Sequence, residues 1–472
     1  MNIPARVNFA RTLRDWDGFG FNYVEVAQTP DYKNDPQEYG GFSSLSEADR
    51  KTILDMVFGE EGLKPGVFKM FIDSFQQDEK HLNGPKPGDL DLENYDHQTT
   101  TEWMRYCLRE GLRITRERGG NLTGIATLYG PPAFMTKIKK IRGRDLDPAY
   151  ELECAKYIVA FAKYMKDVEG LPIRYLSIHN EGEDFHRWPE DGLDPNIGGG
   201  HDYNLYWTPE HAAEFIALLG RVADAVDHSF KPTPGECTGW TRFYHWGYAE
   251  ALVEHQDALK ALGLITSHGF YGDGIDKTWS NSHADTGIRA IRERRPDLHA
   301  WVTSTSWSRM NAGFILEMYR NIYDATVNAI IPWAGIQRVG GWVGGDPNPG
   351  CAFRVYDDGR YTVEKGYYYY KQICRAGQPG MKVVPTYVGF TPCGIVAFSG
   401  TGTTHPNAFV AINAAQEAQE LTIELVGGGK RYEAFRTSPD EQHVSLGAFA
   451  VDQSRLLVSL PADSVTTYYQ LD

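Results

Sequence analysis

Apolar residues recur along this chain at two spacings that take turns. Strand-length apolar runs fall at 17–24, 67–72, 121–128, 175–178, 232–237, 265–270, 300–303 and 329–333. Longer stretches with a period near 3.6 separate them, the signature of amphipathic helices. The helix starts are legible. Ser46 stands before Glu47 and Asp49 as an N-cap, and Thr208-Pro209-Glu210 sets a cap, a first-turn proline and an acid ahead of 211–226. The stretch 149–168 carries Ala155, Ile158, Ala162 and Met165 on one stripe. Strands alternating with helices predict a parallel sheet covered by helices, and eight such units predict closure into a (β/α)8 barrel, a TIM barrel in the α/β class.

Past Ala376-Gly-Gln-Pro-Gly380 the helical period stops. Short alternating segments follow at 383–388, 394–398, 408–412, 421–425, 431–437, 456–459 and 465–470, punctuated by glycine-rich turns. This pattern predicts an all-β sandwich. The expected division is 17–376 for the barrel and 377–472 for the sandwich, with 1–16 joining the sandwich. The sandwich is expected to buttress the barrel, because it shows no tryptophan cluster.

Composition changes the picture mainly by exclusion. The formal charge of −15 and the lack of a basic run argue against a nucleic-acid partner. No apolar stretch approaches a membrane span and no signal pattern opens the chain, so a soluble, cytoplasmic protein is expected; a signal peptide removed beforehand would leave the same pattern. The 6 cysteines show no CxxC spacing, and no histidine cluster has metal-ligand spacing, so neither a metal nor another cofactor is expected. The 11 tryptophans and 27 tyrosines offer platforms for sugar rings, although most such residues fill cores.

The candidate chemistry lies where strands end. Tyr175–Ile178 leads directly into His179-Asn180-Glu181. The C-terminal ends of barrel strands form the catalytic face. An Asn beside a Glu there can hold a sugar hydroxyl while the acid protonates a glycosidic oxygen, although the pair alone also fits a strand end running into a polar loop. Further motifs follow in order: Asp17-Gly-Phe-Gly20, Tyr129-Gly-Pro-Pro-Ala-Phe-Met135, Ser177-Ile-His-Asn-Glu181, Ser267-His-Gly-Phe-Tyr271, Trp301-Val-Thr-Ser-Thr-Ser-Trp307 and Trp333. Together they resemble glycoside hydrolase family 30, with its Gly-Phe-Gly opening strand, its Ser-Pro-Pro-Ala-Trp-Met loop, its Gln-Asn-Glu acid/base motif, its His-Trp-Tyr and its Trp-x-Thr-Glu nucleophile strand. The resemblance implies a retaining β-glycosidase acting on an oligosaccharide, polysaccharide or glycoside. Two carboxyls about 5–5.5 Å apart flank the anomeric carbon in such enzymes. Glu181 would be the acid/base, Asn180 would hold the sugar 2-hydroxyl, His268 or Tyr271 would hydrogen-bond the nucleophile, and Trp333 would lie under the sugar.

Position 304 departs from that pattern, since Ser304 stands where the nucleophilic Glu belongs. A hydroxyl without a His–Asp set does not attack unaided at neutral pH. Three readings stay open: an engineered Glu-to-Ser exchange that leaves an inactivated or glycosynthase form, a natural loss that leaves a carbohydrate-binding protein, or another acid, with Glu236 first, doing the work. The retained Glu181, Trp301, Thr303 and Trp333 favour the first. Lys69 departs too, because the family more often has Arg on the second strand. Glu183 is the second choice of acid, although it and Asp184 also fit a solvated loop. Over the mouth, Trp240, Trp246, Trp307 and Trp342 are candidate stacking residues, and Arg242 or Arg338 could meet an anionic group. The sequence says nothing about oligomeric state.

Overall fold

A computed structural model describes residues 2–25, 41–141, 143–185, 205–270, 283–338, 350–390 and 392–472. Eight parallel strands form one sheet: Gly18–Asn22, Val67–Ile72, Thr123–Leu128, Ile173–Ser177, Lys231–Pro232, Ile265–Ser267, Ala300–Val302 and Ala329–Ile330, here called barrel strands one to eight. Hydrogen bonding runs in the order five, four, three, two, one, eight, seven, six. The Gly263 N–H donates to the Pro232 carbonyl (3.0 Å) and the His268 N–H to the Cys237 carbonyl (2.8 Å), joining strand six to five and closing the circle. The fold is therefore the expected (β/α)8 barrel.

Each predicted run supplies a strand, but strands six and eight end three residues before their runs do, and strand five ends after Pro232. Pro232 and Pro234 lack the N–H groups that a ladder needs. Gly235 then turns the chain at φ 89°, and a Cβ there would lie 2.3 Å from His179 Nε2, so the position admits only glycine. The two helix starts form as the caps direct: Ser46 Oγ accepts from the Asp49 N–H at 3.1 Å, and Thr208 Oγ1 from the His211 N–H at 3.2 Å. Ala155, Ile158, Ala162 and Met165 are all buried along the helix Glu151–Asp167.

The lumen fills from the bottom with Val67, Ile125, Tyr175, Trp301, Ala329 and Ile331. Inward positions recur every second residue. Above Val67 come Lys69 and Phe71, and above Ile125 comes Thr127, so the same alternation that packs the floor delivers polar groups to the catalytic end.

The second unit is a β-sandwich. One sheet orders Thr386–Val388, Ile3–Asn8, Gln419–Val426 and Arg455–Leu460; the other runs Arg14–Asp15, Lys382–Val383, Cys393–Ser399, Ala408–Asn413, Ser464–Gln470, Arg431–Ser438 and Glu441–Ala450. Val7, Phe409, Leu421, Ile423, Tyr432 and Tyr468 are among the side chains packed between them. The N-terminal strand Ile3–Asn8 pairs in parallel with Gln419–Val426. The helix Lys365–Ala376 packs against the larger sheet, with the Gln372 Nε2 donating to Thr437 Oγ1 at 3.0 Å. Among the described residues, all six cysteines are buried free thiols, and no helix is long and apolar enough to cross a membrane.

Candidate active site

Strand four ends at Ser177, and its last residues must turn to bring Asn180 and Glu181 over the barrel mouth. Glu181 adopts φ 58°, a left-handed conformation that costs a non-glycine residue about 1–3 kcal/mol. Its N–H donates to the Glu236 carbonyl at 2.7 Å, and Asn180 bridges Glu236 in parallel, so the chain after strand five holds the turn in place. Backbone strain held by neighbouring structure is characteristic of functional positions.

One imidazole joins two carboxylates at this point. His268, one residue past strand six, bonds Glu181 Oε1 through Nδ1 (2.8 Å) and Glu236 Oε2 through Nε2 (3.1 Å). Glu236 is fully buried and also accepts from Lys69 Nζ and from Thr127 Oγ1–H (2.5 Å). Lys69 reaches from strand two, donates to Asn180 Oδ1 at 3.3 Å and lies 4.4 Å from the Phe71 ring centre. Burial alone would push the Glu236 pKa up, but the charges and hydrogen bonds of Lys69 and His268 outweigh it and hold it down at about 2. For His268, burial acts to lower the pKa, while the hydrogen bonds to Glu181 and Glu236 prevail and raise it. The imidazolium form is thus the one this cluster favours. His179 differs: burial lowers its pKa to about 3, and its Nδ1 accepts the Gly182 N–H at 3.0 Å.

The structure brings together Asn180, Glu181, His268, Trp333 and Ser304. Trp333 is nearly buried, meets Phe71 edge-on at 5.4 Å, and donates its backbone N–H to the Thr305 carbonyl at 2.6 Å. Ser304 follows strand seven, and its carbonyl accepts the Gly269 N–H at 2.9 Å, placing it beside the residue that follows His268. Both His268 nitrogens are engaged by carboxylates, so His268 does not serve as a base for the Ser304 hydroxyl.

Several expectations need correction. Glu236 is no substitute nucleophile, since it is sealed beneath His268 and neutralised by Lys69. Glu183 is not a solvated loop residue: its Oε1 accepts from the Thr238 N–H (2.8 Å), the Thr238 hydroxyl (2.6 Å) and Arg242 Nη1 (3.2 Å) in a buried cluster. Arg242 also meets Asp184 at 3.4 Å, so its charge is matched within the protein. Trp240 and Trp307 are core residues. Trp240 Nε1 donates to Asn321 Oδ1 at 3.2 Å, and Trp307 packs edge-on against Tyr370 at 5.1 Å. Trp246 is 40% exposed and carries the Arg242 guanidinium 4.2 Å from its ring centre. Arg338 pairs with Asp357 at 3.0 Å. Tyr271 and Trp342 lie outside the described residues.

Reading motifs alone missed Thr127 and the structural use of Lys69. The signal for Thr127 was its inward position, two residues after Ile125.

No family model matches this chain, and no curated protein does. Solved structures do. The catalytic domain of a family 30 xylanase C from Talaromyces cellulolyticus matches with a TM-score of 0.70 at 17% identity, covering 99% of this chain and 100% of that one. A family 30 subfamily 8 xylanase from Clostridium acetobutylicum matches with a TM-score of 0.69 at 18% identity, covering 98% of each chain. An endo-β-1,6-glucanase matches with a TM-score of 0.69 at 18% identity, covering 99% of this chain and 94% of that one. Barrel and sandwich together, over almost its whole length, this chain shares the fold of glycoside hydrolase family 30 xylanases.

Proposed function

We propose that the protein is a glycosidase of the retaining type, acting on β-glycosidic bonds of a carbohydrate, with Glu181 as acid/base and Ser304 in the place of the nucleophile. The observation that carries this is Glu181 itself: an acid in a left-handed turn at the end of barrel strand four, clamped to His268. The fold supports it, because xylanases and a glucanase share that fold.

The chemistry follows from the cluster. Lys69, Thr127 and His268 hold Glu236 ionised, and Glu236 in turn keeps a proton on His268 Nε2. His268 Nδ1 then fixes one oxygen of Glu181, which orients the carboxyl group and leaves the proton balance of the pair shared between acid and imidazole. In a retaining cycle Glu181 gives a proton to the leaving oxygen and later takes one from water. Ser304 supplies no carboxylate to form the glycosyl intermediate. The protein as it stands is expected to hydrolyse β-glycosides slowly while still binding them, since binding rests on Asn180 and Trp333. An α-glycosyl fluoride mimics the missing intermediate, and Glu181 would serve as base for the acceptor hydroxyl. Transfer from such fluorides to an acceptor sugar, followed by chromatography of the products, is the test. Glu181→Gln should lower transfer by at least ~10²-fold. Unaltered transfer by that variant would remove Glu181 from the mechanism.

A pH profile of the same transfer checks the His268 bridge. The raised His268 pKa means that its contribution to stability and alignment is fully present below the unfolded value of 6.5 and is lost as pH rises through the folded value. Glu236 acts in the opposite sense: its contribution is present above 4.5 and fades as pH falls towards about 2. Glu236→Gln should therefore shift the alkaline limb of the profile to lower pH, by removing the anion that favours the imidazolium. An alkaline limb that does not move in the variant would show that His268 is not the group controlling it.

A further inference from the structure

A cavity of about 630 Å³ opens on the C-terminal face of the barrel, between the loops that follow strands two and three. Ligand sites are typically about 300–1,000 Å³. The same two loops are rooted at Phe71 and Tyr129, whose rings meet edge-on 4.8 Å apart on the Trp333 side of the active site.

Three features of its walls point to a ligand. Phe75, Tyr95 and Phe134 are half-buried and give aromatic surface. Phe134 packs edge-on against Tyr150 at 5.3 Å, and the Tyr150 hydroxyl donates to Glu79 Oε1 at 2.6 Å, so this wall is braced. Asp78, Glu79, Glu93 and Asp96 surround the space, with no Lys or Arg among the described lining residues. Lastly, Gln77 is a wall residue only 9% exposed. Its Nε2 donates to the His81 carbonyl (2.9 Å) and to Glu153 Oε1 (2.6 Å), which fixes the orientation of the amide. Its Oε1 is buried and lacks a donor. A buried acceptor without a donor is costly, and a small shift of this wall would let a hydroxyl or ammonium in the cavity relieve it.

We propose that this cavity is a saccharide subsite that accepts neutral sugar rings, favours a ring carrying a protonated amine, and rejects uronic acids. Sugar C–H faces pack on the aromatic walls, a hydroxyl or ammonium serves Gln77, and the four carboxylates select by charge. Lys139, which donates to the Phe134 carbonyl at 2.9 Å, does not reverse that choice, since Asp147 matches its charge at 2.7 Å. The saccharide class rests on the function proposed above; the order of charge preference does not.

Equilibrium titration of the full chain at about pH 6 tests this with three tetrasaccharides: fully deacetylated chitotetraose, cellotetraose and tetragalacturonate. Chitotetraose should bind roughly five- to tenfold more tightly than cellotetraose, the scale of a few partly screened charge pairs. That advantage should vanish in about 0.5 M salt, and tetragalacturonate should not bind. Glu93 is exposed, so Glu93→Lys leaves the fold intact and should abolish the preference for the amine. Phe134→Ala, with its melting curve recorded as a fold control, should weaken both chitotetraose and cellotetraose. Tetragalacturonate binding at least as tight as cellotetraose overturns the proposal. So does binding of all three that ignores both variants. The titration needs no turnover, so an inactive Glu181 and an empty cavity would be told apart.

Discussion

Ser304→Glu is expected to raise hydrolysis of a suitable aryl β-glycoside by at least ~10³-fold, the scale on which loss or recovery of one member of a catalytic unit shows itself. The reasoning is geometric. Ser304 stands at the end of strand seven, and its carbonyl is bonded to Gly269, next to the histidine that grips Glu181. On the function proposed above, a carboxylate on that backbone site would enter the cleft beside Glu181, where double displacement needs its second acid. A neighbouring carboxylate also helps to keep the acid protonated while the glycosidic bond is intact. Initial rates over a panel of aryl glycosides would show the gain and name the sugar. No gain on any of them would leave a carbohydrate-binding protein on an enzyme's scaffold.

The second large effect concerns stability. Glu236→Gln should destabilise the protein by about 3–5 kcal/mol, because it leaves the Lys69 ammonium buried without its counter-charge. Lys69→Met should cost a similar amount for the mirror reason. The double variant should recover part of the loss, since no charge is then left unmatched between the two positions and the Gln oxygen can still accept from Thr127 and His268. Denaturant midpoints of the two single variants and the double close the cycle. Additive losses would mean that the two side chains do not depend on each other.

How much of this was legible in the sequence differs from element to element. Barrel strands two and three were legible because long apolar runs filled them and turn residues bounded them. Strands five, six and eight are shorter than the sequence suggests, strand five because its prolines and Gly235 end the ladder after Pro232. The strand Glu441–Ala450 escaped notice because it lies at a sheet edge, where exposed residues interrupt the alternation and Gly447 breaks it. At the site, the position of Glu181 just past strand four was legible, because the apolar run Tyr175–Ile178 leads straight to it. The fate of Glu236 was not. Whether a carboxylate attacks or is entombed depends on Lys69, which lies 167 positions away in the chain. The tryptophans show the same limit: Trp240 and Trp307 have the chemistry of stacking platforms, but Asn321 and Tyr370 enclose them.

The central claim is that an acid/base, Glu181, works in a cleft whose nucleophile position is held by Ser304. Its most direct measurement is the anomeric configuration, by proton NMR, of the product formed from an activated aryl β-glycoside in the presence of azide. With no carboxylate on strand seven, the small anion attacks from the vacant side in a single displacement. The account predicts an α-glycosyl azide whose formation rises with azide concentration over a slow background. Rapid hydrolysis to the β-sugar, indifferent to azide, would contradict it and show that a nucleophile other than the one at position 304 is at work.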